Sequence, residues 1–227
     1  MPKQFLKTDK NFTDSILILN KLKIRYWVCH GTLLGIMRDK KLIPWDNDID
    51  LGIWKKNLKK NLILKCFKDK KFQIKKKFFD NDNIITFRRL GGRDVDLNIY
   101  ELTHDKRYAF QRHYAHSNVL MRLIYVLSVS GSYKGRHNRI INKFRFSRNF
   151  FIKLKKFLIK NKIFYKQAGF KTSAELFINV KKYYFKGLMI NIPSNYKEYF
   201  FQIYGPSWIK PQKKYNWEKN PNSTFIN

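Results

Sequence analysis

The sequence predicts an α+β fold, a mixed sheet with helices joined to a basic helical insertion. Three observations carry that prediction. Apolar residues recur at helical spacing in TDSILILNKL (13–22), DIDLGIW (48–54) alternates with period two, and IITFRRL and VDLNIYEL flank Gly91-Gly92 in the manner of a β-hairpin. With 227 residues, 44% of them apolar, the chain can bury a substantial core, which excludes a disordered basic tail.

The elements follow in order. Thr13 is the expected N-cap of the first helix. RYWVC (25–29) is aromatic and β-branched and reads as a strand, HGT supplies a turn, and LLGIMRD forms a short helix. In DIDLGIW, Ile49, Leu51 and Ile53 share one face of a strand while Asp48, Asp50 and Gly52 share the other. Residues 55–69 fit a lysine-coated helix with Leu58, Leu62, Ile63 and Phe67 as its apolar stripe, and the second strand of the hairpin brings in Asp96. From 101 to 180 the pattern turns basic and aromatic with helical runs. FKGLMINIPSNYKEYFFQIYGPSW then gives a strand ending at Pro193, a helix capped by Ser194 and a stop at Gly205-Pro206. The expected organisation is a catalytic core in 1–100, a basic helical lobe in 101–180 and a strand–helix element in 181–227 that completes the core.

Lysine and arginine number 48 against 16 acids, a formal charge of +32 that attracts nucleic acid, phosphate-rich glycans or an anionic membrane. The excess is mostly lysine spread along the chain, so a generally solvated cationic surface accounts for it equally well. Cys29 and Cys66 stand far apart, with neither a CxxC pair nor a zinc-finger histidine, which points away from a disulfide framework and from structural zinc. The N-terminus has no apolar signal core. The run VLMRLIYVLSVS (119–130) contains Arg122 and falls short of the ~20 apolar residues of a membrane span. The expectation is a cytoplasmic protein that can meet the inner face of a membrane.

Against this charge the run IPWDNDIDLGI (43–53) concentrates three carboxylates. Asp48 and Asp50 leave the same face of a strand about 7 Å apart, near enough to share metal ions held roughly 4 Å from one another. Asp46 precedes the strand proper and falls beside them or not. If VDL lies next to DIDL in the sheet, Asp96 joins them, and three carboxylates on one face repel unless cations sit between them. Oxygen-only ligands suit Mg²⁺ or Mn²⁺. Gly31 and Thr32, just upstream, offer backbone N–H groups and a hydroxyl to a phosphate. Taken alone, a DxD run is a solvated strand end. A glycine-and-hydroxyl turn, then Asp48-Ile49-Asp50-Leu51, then Val95-Asp96-Leu97 is the layout of the nucleotidyltransferase fold.

GTLLGIMRDKKLIPWDNDIDLGI resembles the signature of the LicD/fukutin family, and FKGLMINIPSNYKEYFFQIYG is similar to that family's C-terminal strand–IP–helix–YG element. The tail YGPSWIKPQKKYNW is most similar to the fukutin branch. Together the resemblance covers 24–54, 84–100 and 185–217. Asn47 stands where many LicD-type sequences have aspartate, which implies that this position is not a required ligand.

The resemblance implies a metal-dependent phosphotransferase. It would move ribitol phosphate, phosphocholine or glycerol phosphate from a CDP-linked donor to a hydroxyl of a glycan or lipid-linked glycan. Asp48, Asp50 and Asp96 would be catalytic and, with Asp46, would hold Mg²⁺ or Mn²⁺. Gly31, Thr32, Arg38, Tyr204 and Trp208 would bind substrate. A nucleotidyltransferase acting on RNA, with the same carboxylates, and a non-catalytic polyanion-binding protein are the alternatives.

Each further residue has a plain structural account beside the functional one. Arg38 is either a phosphate clamp or a surface cation. Tyr204, Trp208 and Trp217 are either a stacking wall or packing for the C-terminal segment. His30 contacts phosphate, acts as an acid, or packs in its turn. Arg88, Arg89 and Arg93 border the Asp96 strand, and at least two of them are expected in solvent. In the middle segment, Phe150, Phe151, Leu154 and Phe157 either dip into an anionic membrane or pack onto the core.

Overall fold

The structure is a computed structural model that describes residues 9–75, 83–128, 143–213 and 223–226. The chain forms two compact units, Met1–Arg112 with Gly169–Thr224, and His113–Ala168 with Phe225–Asn227. The second unit is thus drawn more narrowly than the expected 101–180. Trp217 lies outside the described residues.

In chain order the elements are α1 (Lys10–Lys21), β1 (Tyr26–Val28), α2 (His30–Leu34) running into a π-helical turn (Gly35–Asp39), β2 (Asp48–Trp54), a 3-10 turn (Lys55–Asn57) and α3 (Lys60–Asp69). Then come β3 (Gln73–Ile74), β4 (Ile84–Arg88), β5 (Asp94–Leu102), β6 (Tyr108–His116), α4 (Val119–Ser128), a 3-10 turn (Phe144–Ser147) and α5 (Arg148–Lys160). The chain closes with β7 (Tyr165–Ser173), α6 (Glu175–Ile178), β8 (Lys181–Phe185), β9 (Leu188–Ile192), α7 (Tyr196–Tyr204) and β10 (Ser223–Ile226).

Several local expectations shift. Helix α1 begins four residues early because Asp9, not Thr13, caps it: the Asp9 carboxylate accepts the N–H groups of Asn11 and Phe12 at 2.9 and 3.3 Å. Thr13 instead bonds the Asp9 carbonyl from inside the helix. HGT is not a loop but the first turn of α2, entered from an extended Cys29. On α3 the buried stripe narrows to Ile63 and Phe67, leaving Leu62 42% exposed. Helix α7 is capped by the Asn195 side chain, which accepts the Glu198 N–H at 3.2 Å, while Ser194 turns to the Leu176 carbonyl. The stretch expected to be helical from 101 onward carries β6 and β7 at its ends, because β5 continues to Leu102 and turns back through Thr103 into β6.

In the first unit β2 and β5 run parallel in the middle of the sheet, with β1 antiparallel on β2 and both β4 and β6 antiparallel on β5. Parallel pairs occur where both faces are covered, and here Ile49, Leu51, Ile53, Val95 and Leu97 are all buried. Trp27 of β1 anchors this core, stacking on Phe177 with ring centroids 4.5 Å apart and meeting Trp54 and Tyr100 at 5.4 and 5.2 Å. Gly52 is its register partner, and a Cβ there would run into the indole. The glycine of DIDLGI therefore makes room for tryptophan.

In the second unit α4 and α5 pack around Met121, Ile124 and Phe164. Of the four residues expected at a membrane, Phe151 and Leu154 join this packing, whereas Phe150 and Phe157 are 61% and 62% exposed. The helix repeat separates the two pairs onto different faces. No helix among the described residues is long and apolar enough to cross a membrane.

Candidate active site

The carboxylates meet through sheet register. Asp50 and Asp96 are Cα partners on the parallel strands β2 and β5, as are Asp48 and Asp94. Partners on adjacent strands leave the same face of a sheet about 4.8 Å apart. Asp48, Asp50, Asp94, Asp96 and Asn98 thus share the face opposite to Ile49, Leu51, Val95 and Leu97.

Asp50 is held from three sides. Its N–H donates to Thr32 Oγ1 at 2.8 Å, its carbonyl accepts the Cys29 N–H at 3.1 Å, and its Oδ1 accepts from Asn98 Nδ2 at 3.0 Å. Thr32 is buried, so its hydroxyl oxygen fixes the strand beneath Asp50. Burial pushes the Asp50 carboxyl well above the usual range, and the charges of Asp48 and Asp96 push it further, while the Asn98 bond draws it down. Burial likewise raises Asp48 to about 7, helped by a hydrogen bond with Asp46 and by the charges of Asp46 and Asp94. Asp94 goes the other way: a fork of 2.9 Å bonds from Arg88 holds it low. Arg88 thus takes Asp94 out of the cluster.

Asp46, which sequence left open, shares a hydrogen bond with Asp48 and places its carboxylate beside the Cα of Gly31, where any Cβ would strike it. Gly31 thus admits Asp46 to the start of α2. An open groove lined by Asp9, Lys10, Pro44, Asp46, Asn47, Gly91, Gly92 and Arg93, about 700 Å³ in volume, lies alongside. Its wall is braced by Arg93, which donates to the carbonyls of Asp46 and Ile43 at 2.8 and 3.0 Å.

The remaining candidates make contacts within the protein. Arg89 pairs with Asp14 at 2.7 Å and lies over Phe72, so only Arg88 of the three flanking arginines is largely exposed. The expectation that at least two face solvent is corrected: both Arg89 and Arg93 have backbone carbonyls to satisfy. Arg38 forks onto Asp39 at 2.8 and 2.9 Å and donates to the Trp208 carbonyl at 3.5 Å, with 8% of its side chain exposed. Trp208 and Tyr204 pack on Phe200, with centroids at 4.9 and 6.2 Å. His30 is a packed histidine, and burial lowers it to about 4, so it is neutral. Asn98, Gln111 and Tyr199, which contact Asp50 or His30, were missed by sequence. Asn98 had a signal in the period-two step from Asp96 along β5; Gln111 and Tyr199 had none.

Among the described residues no group of three His, Cys, Asp or Glu side chains already stands at metal-ligating geometry. The fit to a hard divalent cation rests instead on donor chemistry and repulsion. Asp46, Asp48, Asp50 and Asp96 supply only oxygen, and Asp48 and Asp50 carry mutual charge that a cation would neutralise.

In-register carboxylates on adjacent strands beside a glycine-opened helix define a nucleotidyltransferase-like α+β core. Residues 23–90 match the model of the LicD family, described as LicD/FKTN/FKRP, nucleotidyltransferase domain. The match includes Gly31, Thr32, Arg38, Asp46, Asp48 and Asp50; Asp96 lies beyond it and is brought in by the sheet.

Three relatives bear on the match. The ribitol-5-phosphate transferase FKTN of Macaca fascicularis is 37% identical over 82 residues, 36% of this chain and 18% of that protein, and FKTN of Homo sapiens is 35% identical over the same lengths. A protein of Rickettsia typhi is 34% identical over 94 residues, 41% of this chain and 28% of its own. The match therefore spans less than a third of each relative. Among solved structures, the lincomycin-bound lincosamide antibiotic adenylyltransferase LnuA overlays with a TM-score of 0.44 at 12% identity, over 86% of this chain and 85% of that one.

Proposed function

We propose that the chain is a phosphotransferase that moves a phosphorylated alcohol from a CDP-linked donor to a glycan hydroxyl, with Mg²⁺ or Mn²⁺ held by Asp48, Asp50, Asp96 and Asp46. The observation that carries this reading is the Asp50–Asp96 register, which sets Asp96 beside a segment similar to proteins named ribitol-5-phosphate transferases. In the reaction the acceptor oxygen attacks the phosphorus that bears the alcohol, the bond from that phosphorus to the bridging oxygen breaks, and CMP leaves. Bound divalent metal would neutralise the diphosphate and the leaving CMP. Asp96 takes the acceptor proton, and Asp50, fixed by Thr32, Cys29 and Asn98, holds its carboxylate still through the reaction. The groove beside Asp46 and Arg93 gives the acceptor a way in.

The test is the product. Incubation with Mg²⁺ and a panel of CDP-choline, CDP-ribitol and CDP-glycerol should release CMP from one of them, and no pyrophosphate should appear with NTPs. Pyrophosphate release with an RNA acceptor, for which a charge of +32 is suited, would instead establish a nucleotidyltransferase.

For the second unit we read an anionic membrane surface as the partner. Phe150 and Phe157 lie on the outer face of α5 among Lys153, Lys156 and Lys160, the mixture that suits an interfacial helix. Co-sedimentation with anionic vesicles should fall with salt and with the pair Phe150→Ser and Phe157→Ser. Equal recovery on neutral vesicles would reject this surface.

A further inference from the structure

Behind Asp50 runs a chain of buried polar side chains drawn from four separate parts of the sequence. Asn98 Nδ2 donates to Asp50 Oδ1 at 3.0 Å, and Asn98 Oδ1 accepts from Gln111 Nε2. Gln111 Oε1 lies 2.6 Å from His30 Nε2, and His30 Nδ1 lies 3.2 Å from the Tyr199 hydroxyl, whose oxygen accepts the His30 N–H at 3.0 Å. Asn98 and Gln111 are buried, and His30 is enclosed between Tyr199 and Tyr100.

The chemistry of each link fixes its direction. A carboxylate only accepts, so Asn98 presents its amide nitrogen to Asp50 and its oxygen to Gln111. Gln111 must then present its nitrogen to Asn98 and its oxygen to His30. An amide oxygen accepts too, so His30 carries its proton on Nε2, which leaves Nδ1 to accept from the Tyr199 hydroxyl. Every donor in the chain therefore points toward Asp50, and aligned bonds of this kind polarise one another. His30 also sits at φ 47°, a left-handed backbone that is unfavourable for a non-glycine residue. Both its N–H and its ring are committed to Tyr199, which holds it there.

We propose that Asn98, Gln111 and His30 are positioning residues, a one-way relay that fixes the Asp50 carboxylate for divalent-cation binding. The inference rests on the reading of Asp50 as a cation-holding carboxylate. Residues of this rank typically tune metal affinity by about 10- to 100-fold when lost.

The experiment is calorimetric titration of the folded chain with Mn²⁺, beside NMR of ¹⁵N-labelled histidine. Gln111→Met keeps the side chain's length and removes both links. It should weaken Mn²⁺ binding about tenfold and abolish the Nε2–H tautomer signal of His30. His30→Asn, which tolerates the left-handed backbone, should weaken Mn²⁺ binding likewise. A folded Gln111→Met that binds Mn²⁺ within twofold of wild type would reduce the relay to packing and overturn the proposal. If the wild-type chain itself fails to bind Mn²⁺, the metal reading falls, and the ring decides the relay. An Nε2–H tautomer that is lost in both Asn98→Ala and Gln111→Met upholds it; a ring signal unchanged in both rejects it.

Discussion

Asp50→Asn is expected to lower CMP release by roughly 10³-fold, because it removes a charge from the centre proposed to hold the cation that neutralises the leaving group. It should do so without unfolding the protein. The wild-type carboxylate is buried and pressed by the charges of Asp48 and Asp96, so a neutral amide of the same shape relieves a cost in the metal-free state. Melting temperature without metal should therefore hold or rise while turnover collapses. Asp48→Asn should behave the same way, since Asp48 is pushed up to about 7 by burial and by Asp46. Asp96→Ala should cut turnover more than donor binding, as expected of the group proposed to receive the acceptor proton. Rates measured at saturating Mg²⁺ decide the matter: near-normal turnover in Asp50→Asn or Asp48→Asn rejects the site. An Asp96→Ala protein that loses only thermal stability makes that residue structural.

The second large effect is on stability with pH. Folded Asp48 keeps its proton up to about 7, whereas an unfolded aspartate releases it near 3.9. Between those values the folded state binds more protons, so stability is full below the lower value and falls as pH rises through the upper one. His30 acts in the opposite sense: its folded value of about 4 lies below the ~6.5 of a free histidine, so its contribution is complete only above pH ~6.5. The two oppose each other on the acid side, and above pH ~6.5 the carboxyls prevail. Metal-free protein should therefore lose about 1 kcal/mol from Asp48 alone between pH 6.5 and 8, a fall in melting temperature of about 2 to 4 °C, with Asp50 acting in the same direction. Excess Mn²⁺ should reverse the slope, since a cation binds the ionised carboxylates. Thermal unfolding in chelator and in Mn²⁺ across this range reads both signs, and a flat or rising metal-free curve would show that Asp48 is not under strain.

The parts of this site that local pattern controls were legible in the sequence. Alternation in DIDLGIW put Asp48 and Asp50 on one face, and the Gly91-Gly92 hairpin delivered Asp96 on a second strand. What pattern could not say was that β2 and β5 are neighbours, because register between strands 46 residues apart is set by the whole sheet. For Arg38 and Arg89 local pattern offered no partner, and the structure pairs them with Asp39 and Asp14. Helix starts were missed by a few residues wherever two capping residues lay close together, as with Asp9 and Thr13, or Ser194 and Asn195. Gln111 lies in a stretch read as helical lobe, and only its place on β6 brings it to Asn98.

The central claim is that Asp48, Asp50 and Asp96 hold a divalent cation at the reacting phosphates. Anomalous scattering from crystals grown with Mn²⁺ and a CDP-linked alcohol tests it most directly. The account predicts a manganese peak within coordination distance of Asp50 and at least one of Asp48 and Asp96, bridging to the diphosphate. A diphosphate bound at this face with no manganese beside Asp50, or manganese bound only elsewhere on the chain, would contradict it.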